Sequence, residues 1–400
     1  MLTDIEVGLP EQARDIRDTA HRFAAEVMRP AGIQLDKLAD PQDVIASNSI
    51  LWDVFRKHRE VGLNDLETAT MELAPIERTQ IRALVSEEMG WGDSGLAISL
   101  GVANFHKTFA MMSGRPALID RYVRGGADEI GCWAVTEPDH GSDSLTVTEP
   151  HFTDPNIRAN CIATRDGDDY VIRGQKSAWV SNGTIATVAA LFCTIDGDQG
   201  FSGGGVAVVP LDLPGVSRGK PTNKLGQRAL NQGEIFFDEV RIPAEYMVIG
   251  KENYSAVVQQ ILTGANASMG TIFVGTARAA YELALDYAKT RVQGGVPIIQ
   301  HQSVKARIFK MFMQVEAARS LSRRVVYYNA TNPPLLQYSI ASKVFGTTTA
   351  FEVASQALQI FGGNGLTRDF PIEKIMRDAR ASMIEDGCND LLSLVGAAKL

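Results

Sequence analysis

Near the C-terminus two acids stand side by side, Glu385 and Asp386, followed by Gly387, Cys388 and Asn389. A carboxylate in a partly desolvated loop can take a proton from a weakly acidic carbon, if burial brings its pKa towards the working pH. The same two acids can also simply cap the helix that follows, because aspartate is a favoured N-cap. A second chemistry-bearing run is Ala134-Val135-Thr136-Glu137-Pro138-Asp139-His140-Gly141-Ser142-Asp143. Its small residues let backbone amides approach a polar ligand closely, and its hydroxyls add donors. A third is Gly174-Gln175-Lys176-Ser177-Ala178-Trp179-Val180-Ser181-Asn182-Gly183, which alone reads as a strand with an aromatic core residue. A fourth is Gln359-Ile360-Phe361-Gly362-Gly363-Asn364-Gly365-Leu366, with Met376-Arg377-Asp378-Ala379-Arg380 beyond it; alone it reads as a helix stop.

Other chemistries find no footing. The six histidines show no metal-ligand spacing, and there is no G-x-S-x-G elbow or P-loop lysine motif. Gly362-Gly363-Asn364-Gly365 does not follow a strand within a βαβ unit, so it is no dinucleotide fingerprint. These absences argue against a zinc enzyme, a serine hydrolase and a nicotinamide dehydrogenase. Cys132, Cys161, Cys193 and Cys388 are scattered, which favours reduced thiols over a disulfide framework.

The elements that must position these residues change character twice. Helical spacing marks Glu11 to Met28, Ile76 to Met89 and Leu96 to Met112, with Asp93-Ser94-Gly95 as a break carrying cap side chains. From Gly131 to about Gly250, runs such as DDYVIRG, TVAALFCTI, GGGVAVVPL and GEIFFDEVRI read as strands bounded by turn residues. Helical spacing returns over Tyr254–Arg291 and His301–Ala330, and Pro333-Pro334 marks a break. The fold class is therefore α+β. The division is 1–130 helical, 131–250 a β-barrel or sandwich, and 251–400 a helical bundle.

The chain has 400 residues, 45% hydrophobic and 22% charged, enough for a large core without staples. Its net charge of −8 argues against a nucleic-acid partner. No basic, apolar leader opens the sequence, and no apolar run approaches the ~20 residues a bilayer requires. A cytoplasmic setting without membrane contact is expected.

Taken in order, the last three runs closely resemble the signature segments of acyl-CoA dehydrogenases. That family carries a T-E-P-x-x-G-S-D loop, a G-x-K-x-W-[IV]-[ST]-N strand and a Q-x-x-G-G-x-G turn before an M-R-D-A helix. Lys224-Leu225-Gly226-Gln227-Arg228 and Phe237-Asp238-Glu239-Val240 match as well. The resemblance runs from about residue 130 to the C-terminus; the N-terminal third shares only helical character. It implies an N-terminal helical domain, a middle β domain and a C-terminal four-helix bundle, with FAD between the last two. It assigns Trp133, Val135, Thr136, Gly141 and Ser142 to the flavin and its ribityl chain. Trp179 and Ser181 fall against the flavin ring, with Ser181 near N5. Arg291, Gln302, Gln359, Gly362 and Gly363 fall to the FAD of a neighbouring subunit, which implies a homo-oligomer, a tetramer or dimer. The implied reaction is α,β-dehydrogenation of an acyl-CoA, with a carboxylate taking the α-proton, hydride passing to flavin N5, and an electron-transfer flavoprotein or other acceptor downstream.

The chain departs from that pattern at the base. The family's Y-E-G-T segment corresponds to Glu385-Asp386-Gly387-Cys388, which places Asp386 at the base; a one-residue shift makes it Glu385. The family's other location for a base holds Ala265 and Asn266, neither of which accepts a proton. Aspartate also occurs in the nitroalkane oxidase branch, so an oxidase of that type is the alternative, as is a non-oxidative or partner-dependent member. About a dozen extra residues between Ser144 and Arg173 either reshape the acyl pocket or lengthen a surface hairpin.

Overall fold

The computed structural model describes residues 5–126, 128–197 and 199–400. Its first third is helical. Glu11–Phe23 (α1) continues through a π turn at Ala24–Met28 into Arg29–Asp36 (α2). Ile50–Glu60 (α3) starts on Ser49, whose hydroxyl accepts the Leu51 amide at 3.2 Å. Pro75–Gly92 (α4) opens on proline, whose missing N–H is no loss at that position. Ser94–Val102 (α5) starts from Asp93, which accepts the Leu96 amide at 2.9 Å, as the cap residues suggest.

One expected helix is two. Leu96 to Met112 breaks at Ala103-Asn104, and Phe105–Met112 (α6) forms a separate helix. The Ala103 carbonyl accepts the Gly131 amide at 2.8 Å, at the first residue of the first strand. The break lets the helical region hand a hydrogen bond to the sheet, which apolar periodicity does not reveal.

Eight strands follow: Gly131–Ala134 (β1), Ile162–Asp166 (β2), Asp169–Lys176 (β3), Val188–Ile195 (β4), Gly204–Pro210 (β5), Val216–Arg218 (β6), Ile235–Pro243 (β7) and Met247–Ile249 (β8). The order is β6-β7-β3-β2-β4-β5-β8, with β1 also on β4. β1 and β2 share one edge of β4, both parallel to it: Trp133 pairs with Ala190, and Ile162 with Thr194. Every residue of β4 and β5 is buried, which accounts for their unbroken apolar runs. The path ends at β6 and β8, and no pairing joins them among the described residues, so of the barrel-or-sandwich expectation a closed barrel is not shown.

The chain ends in three long helices, Lys251–Thr290 (α7), Gln302–Thr331 (α8) and Leu336–Phe361 (α9), and two short ones, Ile372–Ser382 (α10) and Asn389–Ala397 (α11). Phe273, Ala277, Met311, Val315, Val353 and Ala357 fill the core between them. Among the described residues no helix is long and apolar enough to cross a membrane.

The crossing of α4 and α7 fixes the helical regions to each other. A Cβ on Gly90 would lie 1.9 Å from the Ile272 carbonyl oxygen, and one on Gly275 would lie 1.9 Å from that of Glu87. Two backbones thus touch where only glycine fits. Beside the contact, Glu87 is buried among three guanidinium groups, with Arg278 at 2.7 Å, Arg319 at 2.8 Å and Arg323 at 3.1 Å. Burial opposes its ionisation, but Arg319, Arg278 and Arg323 prevail and hold it below the usual carboxylate range. Gly275→Ala should therefore destabilise the protein by about 3 kcal/mol, the upper end for forced overpacking. Gly264→Ala, exposed on the same helix with open space around it, should instead stabilise by roughly 0.5–1 kcal/mol. Chemical denaturation of both variants checks the contrast, and equal effects would remove the backbone contact as the cause.

Candidate active site

The Thr136–Ser142 loop leaves the C-terminal end of β1 and is fixed by a buried ion pair. Glu137 accepts from Lys176 Nζ at 2.6 Å and from the Cys161 amide at 3.0 Å, and the same ammonium donates to the Val135 carbonyl at 3.0 Å. The glutamate of the T-E-P run and the lysine of the third run are thus partners to each other, which explains why both motifs carry a charge the ligand does not need. The third run adds to this wall: the Ser177 amide donates to the Thr136 carbonyl at 2.9 Å. Trp133 and Ser181 form a bridge, and Ser181 forms another with Gln232.

Two further segments close the site. The turn at Lys224–Gln227 is tied to α10, where the Asp378 carboxylate accepts the Gln227 amide and Arg377 donates to the Leu225 carbonyl at 2.7 Å. Lys374 bridges Asp378 and Asp93, and Arg377 pairs with Asp36 at 2.7 Å. The M-R-D-A segment is therefore an anchor between the helical regions. The turn after α10 carries the two acids. Asp386 has φ +53° and Gly387 φ +91°, two consecutive left-handed residues. Aspartate tolerates that region better than most residues, and glycine adopts it freely.

These walls enclose a cavity of about 490 Å³. Trp133, Val135, Thr136, Gly141, Ser142, Trp179, Ser181 and Asp386 all line it. So does Glu385, along with Lys224, Gln227 and Arg380, to which the sequence reading gave no role. Ser142 Oγ accepts the Cys388 amide at 3.0 Å, joining the hydroxyl-rich loop directly to the acidic turn. Gln227 Nε2 donates to Glu385 at 2.6 Å. Lys224 Nζ is taken up by the Leu230 carbonyl at 2.7 Å and Gln232 Oε1 at 2.8 Å.

Both acids of the turn, the cavity-lining Lys224 and the lysine beneath the turn are perturbed by burial. Burial raises Asp386 to about 6, with the Lys343 ammonium pulling the other way. Burial and then the Asp386 charge raise Glu385 to about 7, against Gln227, Lys343 and Lys224. Burial lowers Lys224 to about 7 and Lys343 to about 8. Lys343 lies far from the acids in sequence, on α9, and nothing in its local pattern marks it. Clusters of perturbed groups in one cleft are a feature of working sites.

A planar aromatic cofactor fits what is present. Trp179 is 56% exposed although it is a large aromatic, and it lines the cavity. Trp133 Nε1 is buried without a protein partner, a donor that a ligand acceptor would satisfy. No metal-binding group of His, Cys, Asp and Glu forms among the described residues, and all four cysteines are free.

The remaining expected residues lie in a second groove of about 790 Å³, which gathers Arg291, Gln359, Gly362 and Gly363 with His301 and Arg307. Gln302 is not among its lining; it is the exposed first residue of α8. Between Ser144 and Arg173 the chain forms both the exposed β2–β3 hairpin and a 3-10 turn at Pro150–Thr153, whose Phe152 is 1% exposed and stacks between Phe201 and Tyr254. His151 Nε2 lies 3.0 Å from the Asp143 carbonyl oxygen, so this turn braces the loop next to Ser142.

Residues 132–240 match the acyl-CoA dehydrogenase middle domain, and residues 255–400 match the acyl-CoA dehydrogenase C-terminal domain. The mitochondrial short-chain specific acyl-CoA dehydrogenase of Rattus norvegicus is 27% identical over 400 residues, covering 98% of this chain and 91% of the relative. The cyclohex-1-ene-1-carbonyl-CoA dehydrogenase of Geobacter metallireducens is 30% identical over 317 residues, covering 78% of this chain and 80% of the relative. The solved butyryl-CoA dehydrogenase of Megasphaera elsdenii superposes with a TM-score of 0.85 at 24% identity, across 98% of this chain and 99% of that one. Two domain matches, a full-length fold likeness and an aromatic-walled cavity closed by an acidic turn lead to one assignment: the chain belongs to the acyl-CoA dehydrogenase family of oxidoreductases.

Proposed function

We propose that this protein is an FAD-dependent acyl-CoA dehydrogenase that oxidises the Cα–Cβ bond of an acyl-CoA thioester, with Asp386 as the base. The observation that carries the proposal is the Asp386 carboxyl itself: it lines the aromatic-walled cavity, and burial brings it to about 6. A base is most useful when its pKa lies near the working pH, so that it is ionised yet still basic. We assign the cofactor-facing roles to Trp133, Val135, Thr136, Gly141, Ser142, Trp179 and Ser181. FAD, when bound, supplies the acceptor for the β-hydrogen and its two electrons.

In this reading Asp386 takes the α-proton onto a carboxylate oxygen. Negative charge developing on the thioester oxygen needs a donor aimed at it. The Gly387 backbone lines the same cavity, and its amide is our assignment for that donor. Aspartate reaches one methylene less far than glutamate, so the substrate α-carbon has to come closer to the turn. Glu385 is the weaker candidate because Gln227 already holds its carboxylate at 2.6 Å. The second groove, with Arg291, Gln359, Gly362 and Gly363 together, supports a homo-oligomer in which one subunit completes its neighbour's cofactor site. We take 1–130, 131–250 and 251–400 as the three domains, and an electron-transfer flavoprotein as the downstream acceptor.

Anaerobic addition of an acyl-CoA panel, followed by flavin bleaching, tests the reaction. At least one thioester should bleach the flavin within a single turnover. Bleaching by nitroethane alone, with fast reoxidation by oxygen, would replace the dehydrogenase with an oxidase. Asp386→Asn should keep FAD and slow reduction by about 10²–10⁴-fold, the usual worth of a general base. Glu385→Gln should have a far smaller effect, and the reverse ranking would move the base to Glu385. Because the base must be unprotonated, reduction should fall as pH drops through about 6 and level off above it. A reduction rate flat from pH 5 to pH 8 would exclude Asp386 as the titrating group.

A further inference from the structure

Lys343 is fully buried, at 0% exposure, on α9. Lysine is seldom buried completely unless its charge is compensated. Its two hydrogen-bond partners are neutral: Nζ donates to the Gly387 carbonyl at 2.8 Å and to Asn389 Oδ1 at 2.8 Å. Asn389 is held in turn, donating through Nδ2 to Thr347 Oγ1 at 3.0 Å. The ammonium therefore sits beneath the acidic turn, and the carboxylates acting on it are those of Asp386 and Glu385. Lys343 acts on the Asp386 carboxyl from α9 and Asp386 acts on Glu385 within their own turn, while Lys224 from the 223–227 segment and Arg380 from α10 line the same cavity. Of the nearby cations, Lys343 is the one that opposes burial at Asp386, whereas Lys224 acts on Glu385 and is drawn off by Leu230 and Gln232.

We propose that Lys343 is a positioning residue for the base: it locks the left-handed turn that aims Asp386 into the cavity and supplies the buried positive charge that keeps it a carboxylate. The inference rests on the assignment of Asp386 as base. Two requirements conflict at that residue. Water must be kept away for the carboxylate to be basic, yet without water the charged form is disfavoured. A fixed ammonium behind the turn resolves the conflict, because it stabilises the carboxylate from the protein side and leaves the cavity side free for substrate. The hydrogen bonds to Gly387 and Asn389 hold the turn, and through them Lys343 acts on Asp386 without touching substrate.

The test reads the carboxyl directly. In the FAD-loaded protein, infrared titration of the protonated carboxyl band, assigned by its loss in Asp386→Asn, should give a midpoint near 6. Lys343→Met should raise that midpoint by on the order of one pH unit or more, as loss of a nearby opposite charge does. Lys343→Arg should keep it close to wild type. The acidic limb of flavin reduction by butyryl-CoA should move with the midpoint. By reciprocity, Asp386→Asn should lower the Lys343 titration, followed by 15N-lysine NMR. This arm stands even where Lys343→Met does not fold. An unchanged midpoint in folded Lys343→Met, or an unchanged lysine titration in Asp386→Asn, overturns the proposal. Failure of every thioester in the acyl-CoA panel to bleach the flavin would count against the proposed reaction, and the two titrations would still decide this one.

Discussion

A proton acceptor shielded from water is held between two opposing demands, dryness and charge, and in the proposed reaction the turn at Asp386 is where they meet. Its backbone is left-handed at two successive residues, which an isolated chain adopts reluctantly. It persists because separate parts of the molecule hold it. The Ser142 hydroxyl takes the Cys388 amide, the Lys343 ammonium takes the Gly387 carbonyl, and Gln227 takes the Glu385 carboxylate. These partners come from the hydroxyl-rich loop, the bundle and the segment before β7. The acidic turn is thus the point where sheet and helices are stitched together, and its geometry is only as good as the packing behind each anchor.

That packing explains why so much of the molecule's charge is buried away from the cavity. The Asp93–Lys374–Asp378 set and the Arg377–Asp36 pair tie α10 to the N-terminal helices. The Glu87 cluster ties α4 to α7 and α8. Such groups contribute little net stability, because desolvation offsets much of the attraction. Their value lies in registry: a helix held by a paired arginine or lysine cannot slide by a residue without stranding a charge. The glycine contact between α4 and α7 imposes the same limit sterically. With both in force, α10 delivers the acidic turn to one place.

The legible part of this arrangement was whatever is written locally. Strands such as TVAALFCTI and the long helices of the C-terminal third carry their own periodicity, and β4, α7 and α8 fall within a few residues of where it places them. The hydroxyl-rich loop and Trp179–Ser181 are contiguous motifs, and the residues taken from them meet in one cavity. What stayed hidden depends on contacts between distant segments. The parallel seating of β1 and β2 on one edge of β4 leaves no mark on either strand. The break at Ala103 exists to serve Gly131. Lys343 is an ordinary side chain in sequence, and Lys224 and Gln227 belong to a recognised segment without a stated role; burial beside the acids makes them chemically distinct. Gln302, placed by resemblance, is exposed at the start of α8 beside His301 and Ser303, which line the second groove.

The choice of aspartate follows from the same physics. In the left-handed region a short polar side chain is better tolerated than a long one. The turn that Lys343 and Ser142 bond to therefore suits aspartate, and Gly387 follows it at φ +91°, where glycine is favoured. A shorter base has fewer rotatable bonds, so more of its aim comes from the backbone and less from side-chain packing. Reach is given up and direction is gained. With Asp386 as the proposed base, such a site depends more on the rigidity of its turn than one carrying a flexible glutamate, and the anchors around residues 385–389 become as important to the proposed proton transfer as the carboxylate they hold.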